Sequence, residues 1–317
     1  MVGSSGAGGR AGPPAVRVIC GPTAAGKSAI AMRLAERFGA LVVSADSRQI
    51  YRGFDVGTAK PSPDDRCRVP HRGIDVVAPT ERYSAAQWAA DADSWIDDAG
   101  ARGVVPLVVG GTGFYLRALF EPLFESPAFD EPRRRALEPL LGAMPVAELR
   151  RWCERLDPAR ANLGRAQLLR SVETALLLGE RLSDLHVRHA RAARRAARYL
   201  VVDPGPALHE RIARRAGAML DGGWVEEVEG LMRSVPADAP AWKASGYDVV
   251  RRLALGQLGR PAAEALVVIE TRQYAKRQRT WFRHQLAGAD VTRVDPDDPR
   301  CDEVITRWWE AEGPSRP

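Results

Sequence analysis

Eight consecutive residues, Gly21 to Ser28 in the order GPTAAGKS, match the phosphate-cradling pattern G-x-x-x-x-G-K-[ST] at every fixed position. The amides of such a loop, opening a helix, point donors at an anionic group. Lys27 adds a point charge and Ser28 can offer its hydroxyl to magnesium. The loop should therefore hold a phosphate or diphosphate. A second chemical candidate is Asp46, in Ser44-Ala45-Asp46-Ser47-Arg48-Gln49, directly after the apolar run 41–43. It belongs at the carboxyl end of a strand beside the loop, where α/β sheets gather their ligands. Such a carboxylate can hold magnesium through water, act as a general base, or merely cap a turn.

A third candidate follows Leu107-Val108-Val109, which runs into Gly110-Gly111-Thr112. Many nucleotide hydrolases and kinases of this architecture carry an acidic magnesium ligand there, so its absence argues against a standard ATPase. The glycines allow close approach of backbone to ligand. Thr112 can offer a hydroxyl or amide to a leaving-group oxygen, or can N-cap the next helix. Farther on, residues 271–283 read as one helix on which Arg272, Lys276, Arg279 and Arg283 are spaced four, three and four apart, while Tyr274 and Trp281 share another face. A basic stripe with aromatic residues suits a nucleic-acid backbone, and equally a solvated face over a core. The same two readings apply to Arg188, Arg191, Arg194, Arg195 and Arg198.

These residues need a frame. The pattern predicts strand 16–20, helix 27–38, strand 41–43, helix 84–99, strand 104–109 and helix 113–120, the alternation of a parallel α/β sheet. Residues 125–198 are helical and Arg- and Ala-rich, and read as an insertion. The apolar run from Tyr199, closed by Asp203-Pro204, returns to the sheet. Helices are expected at 206–220, 224–233, 246–256 and 261–286. The core is thus 16–124 with 199–290, preceded by a disordered leader, 1–15, and followed by a Pro- and Asp-rich tail, 291–317.

A chain of 317 residues with 45% hydrophobic content can bury a full core, and its net charge of +6 favours a polyanionic partner. No run approaches the roughly eighteen apolar residues of a membrane span, and the first fourteen residues have neither an apolar core nor a cleavage pattern of a signal peptide. A cytoplasmic monomer with no membrane partner is expected. Cys20, Cys67, Cys153 and Cys301 form no C-x-x-C pair, so structural thiols are expected rather than a zinc site.

The segments GPTAAGKS, SADSRQIYRGFDVGTAKP, GGTGFYLRAL and TRQYAKRQRTW, in this order and spacing, resemble the tRNA dimethylallyltransferase family from about Val16 to Gln285. The resemblance implies a phosphate-loop, kinase-like parallel sheet flanked by helices, with a helical insertion domain that grips the anticodon stem-loop and a helical C-terminal region. The implied reaction moves a dimethylallyl group from its diphosphate to N6 of adenosine 37 of tRNA. The loop, although of the nucleotide- and ATP-binding type, would take the donor diphosphate through Gly21, Pro22, Thr23, Ala24, Ala25, Gly26, Lys27 and Ser28, with Ser28 acting through Mg2+ and no ATP needed. Arg211 would join them. Asp46 would be the base and Thr112 would bond the bridging oxygen, while Asp46, Ser47, Arg48 and Gln49 would bind the flipped-out adenine. Arg133, Gln167 and Arg170 match tRNA-contacting positions. The chain departs from the family pattern around residues 159–167, where a loop is shortened and Gln167 replaces an arginine, and at Gly179-Glu180 in place of Gly-Lys. An isopentenyltransferase acting on free adenine nucleotides, a small-molecule kinase and a non-catalytic RNA-binding protein are the alternatives.

Overall fold

The computed structural model describes residues 15–121, 129–188, 195–286 and 290–311. Strands β1 (Val16–Cys20), β2 (Leu41–Ser44), β3 (His71–Arg72), β4 (Pro106–Gly110), β5 (Ala197–Val202) and β6 (Asp290–Val294) form one sheet in the order β3-β2-β4-β1-β5-β6, with every pairing parallel. The helices are α1 (Lys27–Phe38), α2 (Pro63–Arg68), α3 (Ala85–Ala101), α4 (Gly113–Phe120), α5 (Glu131–Ala143), α6 (Val146–Leu156), α7 (Arg165–Leu178), α8 (Leu182–Arg188), α9 (Leu208–Asp221), α10 (Trp224–Met232), α11 (Tyr247–Ala254), α12 (Arg260–Gln285) and α13 (Cys301–Glu310). Among the described residues no helix is long and apolar enough to cross a membrane.

The sheet is buried on both faces, which is why its strands read as nearly continuous apolar runs. Right-handed crossovers put α1 and α3, which link strands in opposite directions across the sheet, on opposite faces. On the α1 face, Ile30 and Leu34 pack with Ile19, Val42, Leu107 and Leu200. The alternate residues Val18, Val43 and Val108 face the other way and are fully buried there. Trp88 of α3 donates its indole N–H to the Ser44 carbonyl at 3.0 Å and stacks on Tyr115 of α4 at 4.8 Å.

Of residues 291–317, expected as a tail, those up to Glu310 instead complete the sheet with β6 and cover it with α13. Trp308 and Trp309 are buried in the same core as α1, and Trp309 stacks on Phe38 at 4.8 Å. The Arg17 guanidinium lies over the Trp309 ring and donates to its carbonyl at 2.8 and 3.1 Å. The polar residues 295–300 hid this return, because they resemble a chain terminus and are a turn. β3 also went unread, since two residues are too few to show alternation. The leader 1–14, like 312–317, lies outside the described residues.

The chain divides into two compact units: one runs up to Phe120 and resumes at Arg194, and the other is Glu121–Ala193. The helical segment therefore ends before residue 198. Arg198 is a residue of β5 and pairs with Asp290 of β6 at 2.8 Å. Within the helical unit, Leu141, Leu149, Cys153, Leu168 and Val172 make a small core of their own. Buried Asp157 accepts from the Ser183 hydroxyl and amide at 2.6 and 3.0 Å and so fixes the start of α8.

Trp309→Ala removes a buried aromatic side chain together with its stacking and cation contacts. It should lower unfolding free energy by about 3–5 kcal/mol in a urea titration. A change below 1 kcal/mol would show that α13 is dispensable to the core.

Candidate active site

The loop between β1 and α1 is forced by crowding. Gly21 has φ 142°, and a Cβ there would lie 2.2 Å from the Val202 carbonyl oxygen of β5, so only glycine can leave the strand at this point. Gly26 has φ 96° and opens α1 in the left-handed region, turning the loop amides inward. Lys27 folds back and donates from Nζ to the Pro22 carbonyl at 2.6 Å. Its burial, with Arg215 nearby, pushes its pKa from the ordinary 10.5 down to about 8, against the opposing pull of Asp46 and Cys20. Arg215 donates to the Thr23 hydroxyl at 3.4 Å, and burial lowers its pKa as well, partly offset by Asp46.

The ends of β2 and β4 meet across from this loop. A Cβ on Gly110 would lie 2.1 Å from the Ala45 carbonyl oxygen, so glycine lets the strands touch as they leave the sheet. The Thr112 amide donates to Ala45 O at 3.2 Å, and the Thr112 hydroxyl accepts from the Ser47 amide at 3.1 Å. Asp46 both caps a turn and faces the site. Its Oδ1 accepts from the Arg48 amide at 2.8 Å and the Gln49 amide at 3.4 Å, and Oδ2 has no partner among the described residues. Tyr274 of α12 lines both cavities, and burial near Asp46 pushes its phenol up to about 12.

Two cavities, of about 510 and 230 Å3, share the wall residues Thr23, Asp46, Arg215 and Tyr274. The smaller also receives Lys27, Ser28 and Gly111, and the larger Arg48, Trp224 and Trp242. The loop over the cavities is tied down at its root. Glu227 accepts from the amides of Asp55 and Val56 at 2.8 and 2.6 Å and from the Tyr247 hydroxyl at 2.6 Å. Buried Lys60 bridges Asp55 and Asp75, at 2.6 Å each.

Several expected residues have partners within the chain. Arg211 pairs with Asp297 and lines neither cavity, but its guanidinium stands beside the phosphate loop, 3.4 Å from where a Cβ on Gly26 would lie, and Arg215, one helical turn later, lines both cavities. The stripe on α12 is interrupted: Arg279 is half-buried and bonds Asp203 and the Gly205 carbonyl, leaving Arg272, Lys276 and Arg283 exposed. Gln49 lines the smaller cavity, but its carboxamide accepts from the Ser44 hydroxyl at 2.9 Å and donates to the Thr58 and Ala59 carbonyls at 3.2 and 3.1 Å, so it shapes the loop.

In the helical unit, Gln167 accepts from the Gly164 amide at 3.0 Å and caps its own helix. Arg170 bonds buried Glu173 at 2.9 Å and lies over the Phe129 ring. Arg133 stays exposed at the start of α5. Of the second arginine run, Arg188 pairs with Glu180 and Arg195 with Asp93 and Asp97, while Arg191 and Arg194 lie outside the described residues. Sequence reasoning missed Arg215, Glu227 and Gln278, and placed Tyr274 with Trp281 on a face apart from the basic stripe without aiming it at the site. The i, i+4 spacing of Tyr274 and Gln278 was a usable signal.

Fold and site define the class: a phosphate-loop α/β protein whose anion cradle faces a carboxylate and a hydroxyl carried on neighbouring strand ends. The family described as IPP transferase matches residues 49–285, and that described as Isopentenyl transferase matches residues 14–69. The chain belongs to the IPP transferase family, that of the tRNA dimethylallyltransferases. It is 39% identical over 301 residues to the tRNA dimethylallyltransferase of Deinococcus radiodurans, covering 93% of this chain and 97% of that one. It is 41% identical over 289 residues to that of Anaeromyxobacter dehalogenans, covering 90% and 96%. Among solved structures, the tRNA isopentenylpyrophosphate transferase of Bacillus halodurans aligns with TM-score 0.65 at 30% identity over 93% of this chain and 95% of that chain. A eukaryotic dimethylallyltransferase acting on tRNA shares the fold with TM-score 0.73 at 24% identity, over 90% of this chain and 75% of that chain.

Lys27 should carry its charge below about pH 8 and lose it above. Affinity for inorganic diphosphate, measured by calorimetry, should therefore fall as pH rises through that value, and Lys27→Met should remove this step. Arg215→Met should weaken diphosphate binding tenfold or more, as loss of a hydrogen bond to a charged group predicts at about 1.5–3 kcal/mol, and Arg211→Met by less, because Asp297 already pairs with that guanidinium. Equal losses in the two variants would show that Arg211 turns from Asp297 to the bound anion.

Proposed function

We infer that the chain transfers the dimethylallyl group of dimethylallyl diphosphate to N6 of adenosine 37 in tRNA, releasing diphosphate and leaving N6-isopentenyladenosine. The observation that carries this reading is the meeting of the two cavities at Asp46 and Arg215, one ringed by phosphate-loop donors and the other wide enough for a base. The diphosphate would lie on the amides of Ala24, Gly26, Lys27 and Ser28 with the Lys27 and Arg215 side chains beside it. As the bond between C1 and the bridging oxygen breaks, its electron pair stays on that oxygen, and these donors with the Thr112 hydroxyl take up the growing charge. N6 attacks C1, and its proton passes to Oδ2 of Asp46. Because a paired or stacked amine cannot reach C1, the adenine must first be turned out of its stack.

Ser28 and Asp46 line the smaller cavity and offer hard oxygen atoms, while the described residues hold no cluster of three or more His, Cys, Asp or Glu. Such a set fits Mg2+, which retains water and takes phosphate oxygens rather than a full protein cage. Bound there, Mg2+ would supply further charge for the leaving diphosphate. The exposed cations Arg272, Lys276, Arg283 and Arg133 would meet the phosphates of the anticodon stem-loop, with Arg48 nearer the target base. We place the reaction in the cytoplasm, carried out by a monomer. A kinase reading is disfavoured by Gly110-Gly111, where the magnesium acid of that class would stand.

The protein, dimethylallyl diphosphate, Mg2+ and an adenosine-37 stem-loop should yield a base heavier by one prenyl unit on mass measurement. AMP and ADP offered in parallel should remain unmodified. Asp46→Asn should lower kcat by about 10^2 to 10^4, and Thr112→Val by about 10^2. Parent-like turnover in Asp46→Asn would remove it as the base, and ATP consumption without prenyl transfer would remove the whole reading.

A further inference from the structure

Helix α12 reaches into the site through one buried carboxamide. Gln278 is 7% exposed, its Oε1 accepts from the Thr23 amide at 2.8 Å, and its Nε2 donates to the Gly111 carbonyl at 2.9 Å. One side chain thus joins the phosphate loop to the loop that carries Thr112. The fit is tight, since a Cβ on Gly111 would lie 2.3 Å from Nε2. The same helix braces the second loop once more beyond this contact, where Trp281 packs so closely on Gly113 that a Cβ there would fall 2.3 Å from its ring.

We propose that Gln278 is the positioning residue that sets the gap between the two loops, so that phosphate-loop amides and the Thr112 hydroxyl converge on one leaving diphosphate. It acts through Thr23 and Gly111. The task requires an acceptor and a donor on one planar group. Glutamate at this position would turn an anion toward the Gly111 carbonyl, whereas methionine would fill the space and bond neither loop. A neutral, protonated glutamic acid would restore both bonds. The inference rests on the transferase reading for its meaning in catalysis, but its first readout, anion binding, does not.

The test compares the parent with Gln278→Met, Gln278→Glu and Gly111→Ala. Affinity for inorganic diphosphate, kcat and KM for dimethylallyl diphosphate, tRNA affinity and melting temperature are all measured. Gln278→Met should weaken diphosphate binding at least tenfold and raise the donor KM to match, with tRNA affinity within twofold. Gln278→Glu should be equally impaired at pH 8 and recover relative to the parent as pH falls to 6. Gly111→Ala, which pushes the amide from the other side, should reproduce the loss of diphosphate binding if Gln278→Met does not fold. A lowered melting temperature with diphosphate and donor binding within twofold of the parent would overturn the proposal, leaving Gln278 a packing residue. If the variants lose diphosphate binding but the parent transfers no prenyl group, the transferase reading fails and the positioning of the anion site by Gln278 stands.

Discussion

Two cations, Lys27 and Arg215, share a partly desolvated space with one carboxylate, Asp46. Burial lowers the pKa of both cations, and Asp46 only partly offsets it, so the group is best balanced when a substrate brings negative charge. Everything around it serves that imbalance. The left-handed turn at Gly26 aims amides into the same space, and the Gly110–Ala45 contact brings Thr112 and Asp46 close enough to share Ser47 as a neighbour.

Holding such an arrangement against its own repulsion requires rigid walls. α12 provides one of them, through Gln278, bonded to both loops, and Trp281, packed on Gly113. Another is the aromatic cluster of Phe54, Trp224, Trp242 and Tyr247, with ring centroids 4.9 to 6.2 Å apart where they meet, which seats the loop after β2. Glu227 and Lys60 then satisfy backbone groups of that loop at Asp55, Val56 and Tyr51.

Arginine is abundant in this chain, and much of it serves internal structure. Arg17, Arg134, Arg170, Arg195, Arg198 and Arg279 are bound to carbonyls or carboxylates of the chain itself. A guanidinium presents several donors in a fixed fork, which suits the closing of strand ends and helix termini as well as it suits a phosphate. Net charge therefore indicated the class of partner without identifying the residues that meet it. Arg170, Arg211 and Arg279, all expected at the substrates, each hold a carboxylate of the chain in this way.

The amino-acid order alone determined the parallel α/β core, the phosphate loop, and the placing of Asp46 and Thr112 after neighbouring strands, because each rests on local periodicity or on a backbone conformation that few residues tolerate. It also held the four motifs that place the chain in its family. Tertiary structure decided what depends on residues far apart in sequence: that 290–310 return to the sheet and its core, that Arg215 joins Lys27 in the wall of the smaller cavity, and that Gln278 bonds Thr23 across 255 positions. Spacing along a helix shows which side chains share a face. Which neighbour that face meets is set only when the distant strands have packed.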